Sequence, residues 1–154
     1  MSARTRTPRG GVFRAPAFSW RVLGVVVLGG AIGVLLRALI VLPASGSPDW
    51  IVGPGLTLVV NVVGSFALGF VVGLLDDRRP VLRGFLGTGI LGGFTTYSAF
   101  AVQVAGVGAL APVTGLLLAV AALAAGLLAA ALGLRVGRSA AGDPSQTEPP
   151  EDAE

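Results

Sequence analysis

The chain has 154 residues, 53% of them hydrophobic and only 12% charged, with no His, no Cys and no Lys. A soluble domain of this size carries about 25% charged residues, and disorder requires low hydrophobicity with high net charge. Both classes are therefore excluded for the bulk of the chain. Lacking Cys and His, it has no disulfide framework, zinc site, redox thiol or histidine-based triad, which removes most enzyme chemistry. No enzymatic activity is expected. The formal charge of +3 could suit nucleic acid, but all eleven cations are Arg and ten of them flank long apolar stretches. No nucleic-acid partner is expected.

Residues 1–18 are rich in Arg and Pro and read as a tail. A membrane domain follows over 19–135. A spanning helix needs about 20 predominantly apolar residues, and four stretches qualify, at about 20–42, 51–75, 81–108 and 110–134. The first is longer than the 7–15 apolar residues of a secretory signal and contains Arg37, so it reads as a retained helix. The run from Pro43 to Asp49 is a turn-rich loop, and Asp76 to Pro80 is a charged hairpin. The third and fourth spans join near Gly106 to Pro112 with almost no polar residue. From 136 to 154 the chain is acidic, rich in Pro and Ser, and predicted to be disordered. The fold class is an all-α, multi-pass membrane protein whose main surroundings are the lipid bilayer.

Orientation follows the Arg residues in short flanks. Arg4, Arg6, Arg9, Arg14 and Arg21 precede the first span, Arg78, Arg79 and Arg83 lie at the second connection, and Arg135 and Arg138 follow the fourth. With four spans all ten fall on one side, while the other side has Asp49 and no cation. Both termini are predicted to be cytoplasmic, in the cell membrane.

Polar groups inside spans are costly, so they are where function is sought. Arg37 lies near the outer end of the first span, where either it snorkels to the headgroups or it lines an aqueous vestibule that draws in anions. Asn61, near the middle of the second span, is either interhelical glue or a pair of N–H donors in a pore. In the third span, Gly89-Ile90-Leu91-Gly92-Gly93-Phe94-Thr95-Thr96-Tyr97-Ser98-Ala99-Phe100 puts paired glycines before two Thr and a Ser. Gly pairs weaken a helix, and a break at midplane would free carbonyls able to hold Na+. The alternative is packing, since Gly89/Gly93 form GxxxG, as do Gly29/Gly33 and Gly69/Gly73. Gly87 to Gly92 also spells GxGxxG, but the dinucleotide motif needs a preceding strand and an acid about 20 residues on, and no acid follows before Asp143.

No Asp, Glu or His lies inside a predicted span, so a proton-coupled transporter lacks its usual titratable groups. Arg, amide and hydroxyl donors with electropositive aromatic rims suit an anion.

Three motifs carry a resemblance over about Val22 to Leu134. Gly29-Gly30-Ala31-Ile32-Gly33-Val34-Leu35-Leu36-Arg37 resembles a GGxxGxxxR pattern, and Asn61-Val62-Val63-Gly64-Ser65-Phe66-Ala67-Leu68-Gly69 resembles NxxGsFxlG. Gly92-Gly93-Phe94-Thr95-Thr96-Tyr97-Ser98-Ala99-Phe100 resembles GGxTTFSTF. Together, in this order, they resemble the CrcB/Fluc family of small fluoride channels. The resemblance implies passive, selective fluoride export through an antiparallel dimer with two pores, the third helix broken at midplane, and a structural Na+ at the dimer centre. It places Asn61, Tyr97 and Phe100 in the pore with Thr96 and Ser98 beside them, Arg37 in a vestibule, and the Na+ on the carbonyls of Gly92 and Thr95. Tyr97 departs from the family's Phe and Ala99 from its Thr, and the fourth span offers one hydroxyl, Thr114. Ten arginines on one side should also fix a single orientation, so an antiparallel partner is either a second copy or, as this bias favours, a paralogue of opposite bias. A small secondary transporter and a structural membrane subunit are the alternatives; the second leaves Arg37, Asn61 and the Thr-Thr-Tyr-Ser run without a purpose.

Overall fold

The computed structural model describes residues 19–48, 51–75 and 79–142. The Arg-rich tail, the charges at 76–78 and the acidic stretch from 143 lie outside the described residues. Helix α1 (Trp20–Val41) ends in a tight 3-10 turn, Leu42–Gly46, that contains Pro43. Helix α2 (Val52–Leu75) admits Pro54 because the first turn has no internal acceptor to satisfy. The third span opens with α3 (Pro80–Arg83), Pro80 standing at the first helical position. It widens into a π-helix over Gly84–Leu91 and closes with one α turn, α4 (Gly92–Phe94). After an extended step at Thr95 and Thr96, α5 (Tyr97–Leu110) completes it. One residue, Ala111, separates α5 from α6 (Pro112–Ala141).

Four helical stretches are long and apolar enough to cross a membrane: Trp20–Ala44, Val52–Leu75, Pro80–Leu110 and Pro112–Ala141. The protein is an all-α, multi-pass membrane protein. The fourth helix runs seven residues past Leu134, so residues 136–141, expected in the disordered tail, are helical. Gly137 explains the extension: a Cβ there would collide with the Phe70 carbonyl, so the backbone of α6 is still packed on α2 at that level. The helix ends at Gly142, whose φ of 78° an L side chain rarely adopts.

Alternate spans pack as parallel pairs, and the contacts are backbone on backbone. On α2 and α6, Gly69 meets the Ala130 carbonyl and Gly73 the Leu134 carbonyl, while Gly133 meets the Phe66 carbonyl. On α1 and the third span, Gly29 faces Phe85 and Gly89, Gly33 faces Ile90 and Phe94, and Gly93 sits on the Gly30 carbonyl. Paired GxxxG motifs thus close both interfaces, as expected where lipid replaces water and close approach replaces hydrophobic burial. Gly133/Gly137 is the fourth such pair, unread in the sequence. Among the described residues only Val60 and Ala129 are buried apolar side chains, so small residues form the core.

Gly133→Val is expected to cost about 3 kcal/mol, or roughly 10 °C in Tm, because the obstructing atom is backbone. Gly24→Val, with nothing within 4 Å, is the control. Thermal unfolding in detergent checks this, and equal Tm values would refute it.

Candidate functional site

The site is built around the interruption of the third span. Within the Gly-Gly-Phe-Thr-Thr run, Gly92 and Gly93 remain helical, and the extended residues are Thr95 (ψ 153°) and Thr96 (ψ 116°). Gly93 stays in the helix because it serves close packing on Gly30. Thr96 leaves it because another element offers its backbone a matched partner. Asn61 Nδ2 donates to the Thr96 carbonyl at 2.9 Å, and the Thr96 N–H donates to Asn61 Oδ1 at 2.8 Å. This pair also orients the Asn61 amide without ambiguity, since a carbonyl only accepts and an N–H only donates.

Several neighbouring groups of the interruption are also paired. The Thr95 N–H and Oγ1 both donate to the Leu91 carbonyl, at 3.0 and 2.9 Å. Arg37 reaches the Thr95 carbonyl from α1 through a long 3.4 Å hydrogen bond. Thr96 Oγ1 caps α5 by accepting from the Ala99 N–H at 3.2 Å, and lies 3.3 Å from Ser98 Oγ. In a continuous helix Thr96 N–H would serve the Gly92 carbonyl and Ala99 N–H the Thr95 carbonyl. Both donors are diverted, so Gly92 and Thr95 present carbonyl oxygens released from helical pairing.

Two cavities flank Thr96. One, of about 350 Å³, is lined by Asn61, Ser65, Thr95, Thr96, Tyr97 and Phe100, with α6 supplying an apolar wall from Ala122 to Ala130. The other, of about 580 Å³, is lined by Arg37, Thr57, Thr96, Ser98 and Gln103 among apolar neighbours. The structure therefore gathers every singled-out side chain at the interruption, with Thr96 shared by both cavities. Arg37 turns into the bundle toward Thr95. Asn61 is glue and cavity wall at once: its second Nδ2 proton is left over after the Thr96 pair. Thr114 lines neither cavity, so the polar wall comes from α2 and the Thr pair. Among the described residues there is no carboxylate in either lining.

Three further polar side chains, Thr57, Ser65 and Gln103, line the cavities without standing out in the sequence. Thr57, Asn61 and Ser65 recur every fourth residue, which is one face of α2; that stripe was the available signal. Gln103 is an amide within an apolar span, the same signal that selects Asn61.

Residues 24–134 match the family described as CrcB-like protein, Camphor Resistance (CrcB). This chain belongs to the CrcB family. Among its relatives is a protein named fluoride-specific ion channel FluC 2 from Corynebacterium jeikeium, 38% identical, the match covering 75% of this chain and 79% of the relative. Proteins of the same name from Leifsonia xyli and Bacillus subtilis are 40% and 37% identical, over 76% and 79% of this chain and 83% and 92% of theirs. The CrcB match covers all of the residues just described, from Arg37 to Gln103.

Proposed function

We infer that this CrcB protein is a fluoride-selective passive ion channel that exports fluoride across the cell membrane and so lowers its cytoplasmic concentration. It is no enzyme. The observation that carries the inference is the locked Asn61 amide, which keeps a spare N–H on a cavity walled by Tyr97 and Phe100. A small, strongly hydrated anion must exchange water for donors and aromatic edges set closely around it. Thr96 and Ser98 add hydroxyls, and Arg37 supplies a cation whose field favours anion entry. The absence of a carboxylate from both linings removes the proton carrier that a secondary transporter needs.

The carbonyls of Gly92 and Thr95 suit a structural Na+, because hard cations prefer neutral oxygen ligands and these two are released from the helix. One chain offers two such oxygens. A second subunit in antiparallel orientation would bring two more and would cover Tyr97, which is 77% exposed. That subunit is a second copy or a paralogue.

The charge distribution favours the paralogue. Topology brings Arg21, Arg79, Arg83, Arg135 and Arg138 to the same end of the bundle, with both termini cytoplasmic under the positive-inside rule. Epitope tags on the termini of this chain expressed alone are expected to be inaccessible on intact cells. Labelling of half the copies would instead support a homodimer.

Fluoride efflux from proteoliposomes, read with a fluoride electrode, tests the function. Fast efflux with chloride retained is expected, from the chain alone or with its paralogue. No efflux in either preparation would overturn the channel reading.

A further inference from the structure

Thr57 and Gln103 line the larger cavity beside Thr96 and are joined across the bundle. Thr57 is only 3% exposed, and its hydroxyl donates to the Gly53 carbonyl one turn earlier at 3.0 Å. With its proton committed, the oxygen can only accept, and Gln103 Nε2 donates to it at 3.1 Å. The amide polarity is fixed by the same logic that fixes Asn61. Thr57 stands one turn before Asn61 on α2, and Gln103 stands two turns, about 10.5 Å, beyond Thr96. Two rungs therefore tie α2 to the second half of the third span.

Helix α5 needs both. None of its residues is buried. The interruption at Thr95 and Thr96 cuts the backbone hydrogen bonds that would otherwise make it continuous with α4. Its close approach to α6 lies in its second half, where Gly115 meets Gly108 and the Val104 carbonyl. That contact limits tilt but, being between small groups, does little to set rotation, whereas two directional hydrogen bonds two turns apart fix both motions. A tilt of about 10° at Thr96 would move Phe100, about 6 Å along the axis, by about 1 Å. Displacements of that size matter where a path must strip and replace the water of a small ion.

We propose that the Thr57–Gln103 hydrogen bond is a positioning contact that sets the tilt and rotation of α5 and thereby aims Tyr97 and Phe100 at the ion path. The proposal rests on the channel reading above. Neither residue needs to touch the ion.

Tyr97 is the single tyrosine of the chain, so 3-fluorotyrosine labelling gives one fluorine NMR signal at the element in question. In the full-length protein with its partner, Thr57→Val and Gln103→Leu are each expected to lower fluoride efflux about tenfold and to weaken discrimination against chloride. The fluorotyrosine signal should shift and broaden in both. The double variant should be no worse than either single one, since both remove the same bond, and Thr57→Ser should restore the parent behaviour. Should Thr57→Val not fold, Gln103→Asn, one methylene too short to reach, carries the same expectations. Parent-like efflux and an unchanged signal would overturn the proposal, as would a double variant whose loss is the product of the two single losses. Failure of the unsubstituted protein to conduct would overturn the channel reading instead, while the fluorine signal still reports whether the bond holds α5.

Discussion

Asn61→Leu is expected to reduce fluoride efflux at least 100-fold. The substitution keeps size but removes both hydrogen bonds to Thr96, at 2.9 and 2.8 Å. Each partly buried backbone group left unpaired costs about 1–3 kcal/mol, so the extended step loses about 2–6 kcal/mol of support. A ready alternative exists, because Thr96 N–H can return to the Gly92 carbonyl and rewind the helix. Rewinding would rotate everything from Tyr97 onward and remove the released carbonyls together. Asn61→Asp should fail as well, since a carboxylate oxygen would face the Thr96 carbonyl and place negative charge on the anion's route. Efflux from proteoliposomes reads both variants. Conduction by Asn61→Leu within about threefold of the parent would show that the amide does not hold the site.

Arg37→Ala is expected to lower efflux about 10- to 100-fold at low ionic strength. A charge about 6 Å from an anion, at an effective dielectric constant of about 20, is worth about 3 kcal/mol. No carboxylate among the described residues competes for it. The long hydrogen bond to the Thr95 carbonyl is the smaller part of the effect, and Arg37→Lys separates the two contributions. Lysine keeps the charge but loses the planar fork, so it should retain most of the efflux. The defect in Arg37→Ala should shrink as bath salt approaches 1 M, where the screening length falls to about 3 Å. A loss independent of salt, and equal in the alanine and lysine variants, would instead make Arg37 a strut for Thr95.

Both expectations concern one interruption, and its parts differ in how well the sequence announces them. Asn61, Arg37 and the Thr-Thr-Tyr-Ser run stand out because a polar group in an apolar span is expensive and must have a reason. Thr57, Ser65 and Gln103 obey the same rule. Thr57 and Ser65 are quieter because Thr and Ser can satisfy themselves on their own helix, as Thr57 does on Gly53, whereas Gln103 carries the same signal as Asn61. The interruption itself is legible only as a region, the Gly-Gly-Phe-Thr-Thr run, and not to the residue. Glycine propensity points to Gly92 and Gly93, but propensity is a weak prior where close packing holds a glycine helical. What breaks the helix is a donor–acceptor pair 35 residues away in sequence, and no local signal carries it.

The glycine motifs divide in the same way. Gly29/Gly33, Gly69/Gly73 and Gly89/Gly93 are legible as spacing, yet spacing does not say which motif meets which. The α6 extension to Ala141 is equally invisible locally, since Gly137 and Arg138 read as the start of a polar tail.

By itself the sequence determined that this chain lives in a bilayer, has four stretches able to cross it, carries ten of its eleven cations in flanks on one side and has no Asp, Glu or His within the predicted spans. Those properties follow from composition and spacing along the chain, because the bilayer acts on each segment separately. Tertiary structure alone decided that Thr95 and Thr96 leave the helix, that Arg37 turns inward, and that Thr57 holds Gln103. Each depends on one polar group finding a partner of fixed polarity on another helix, and such matches exist only once the helices are packed.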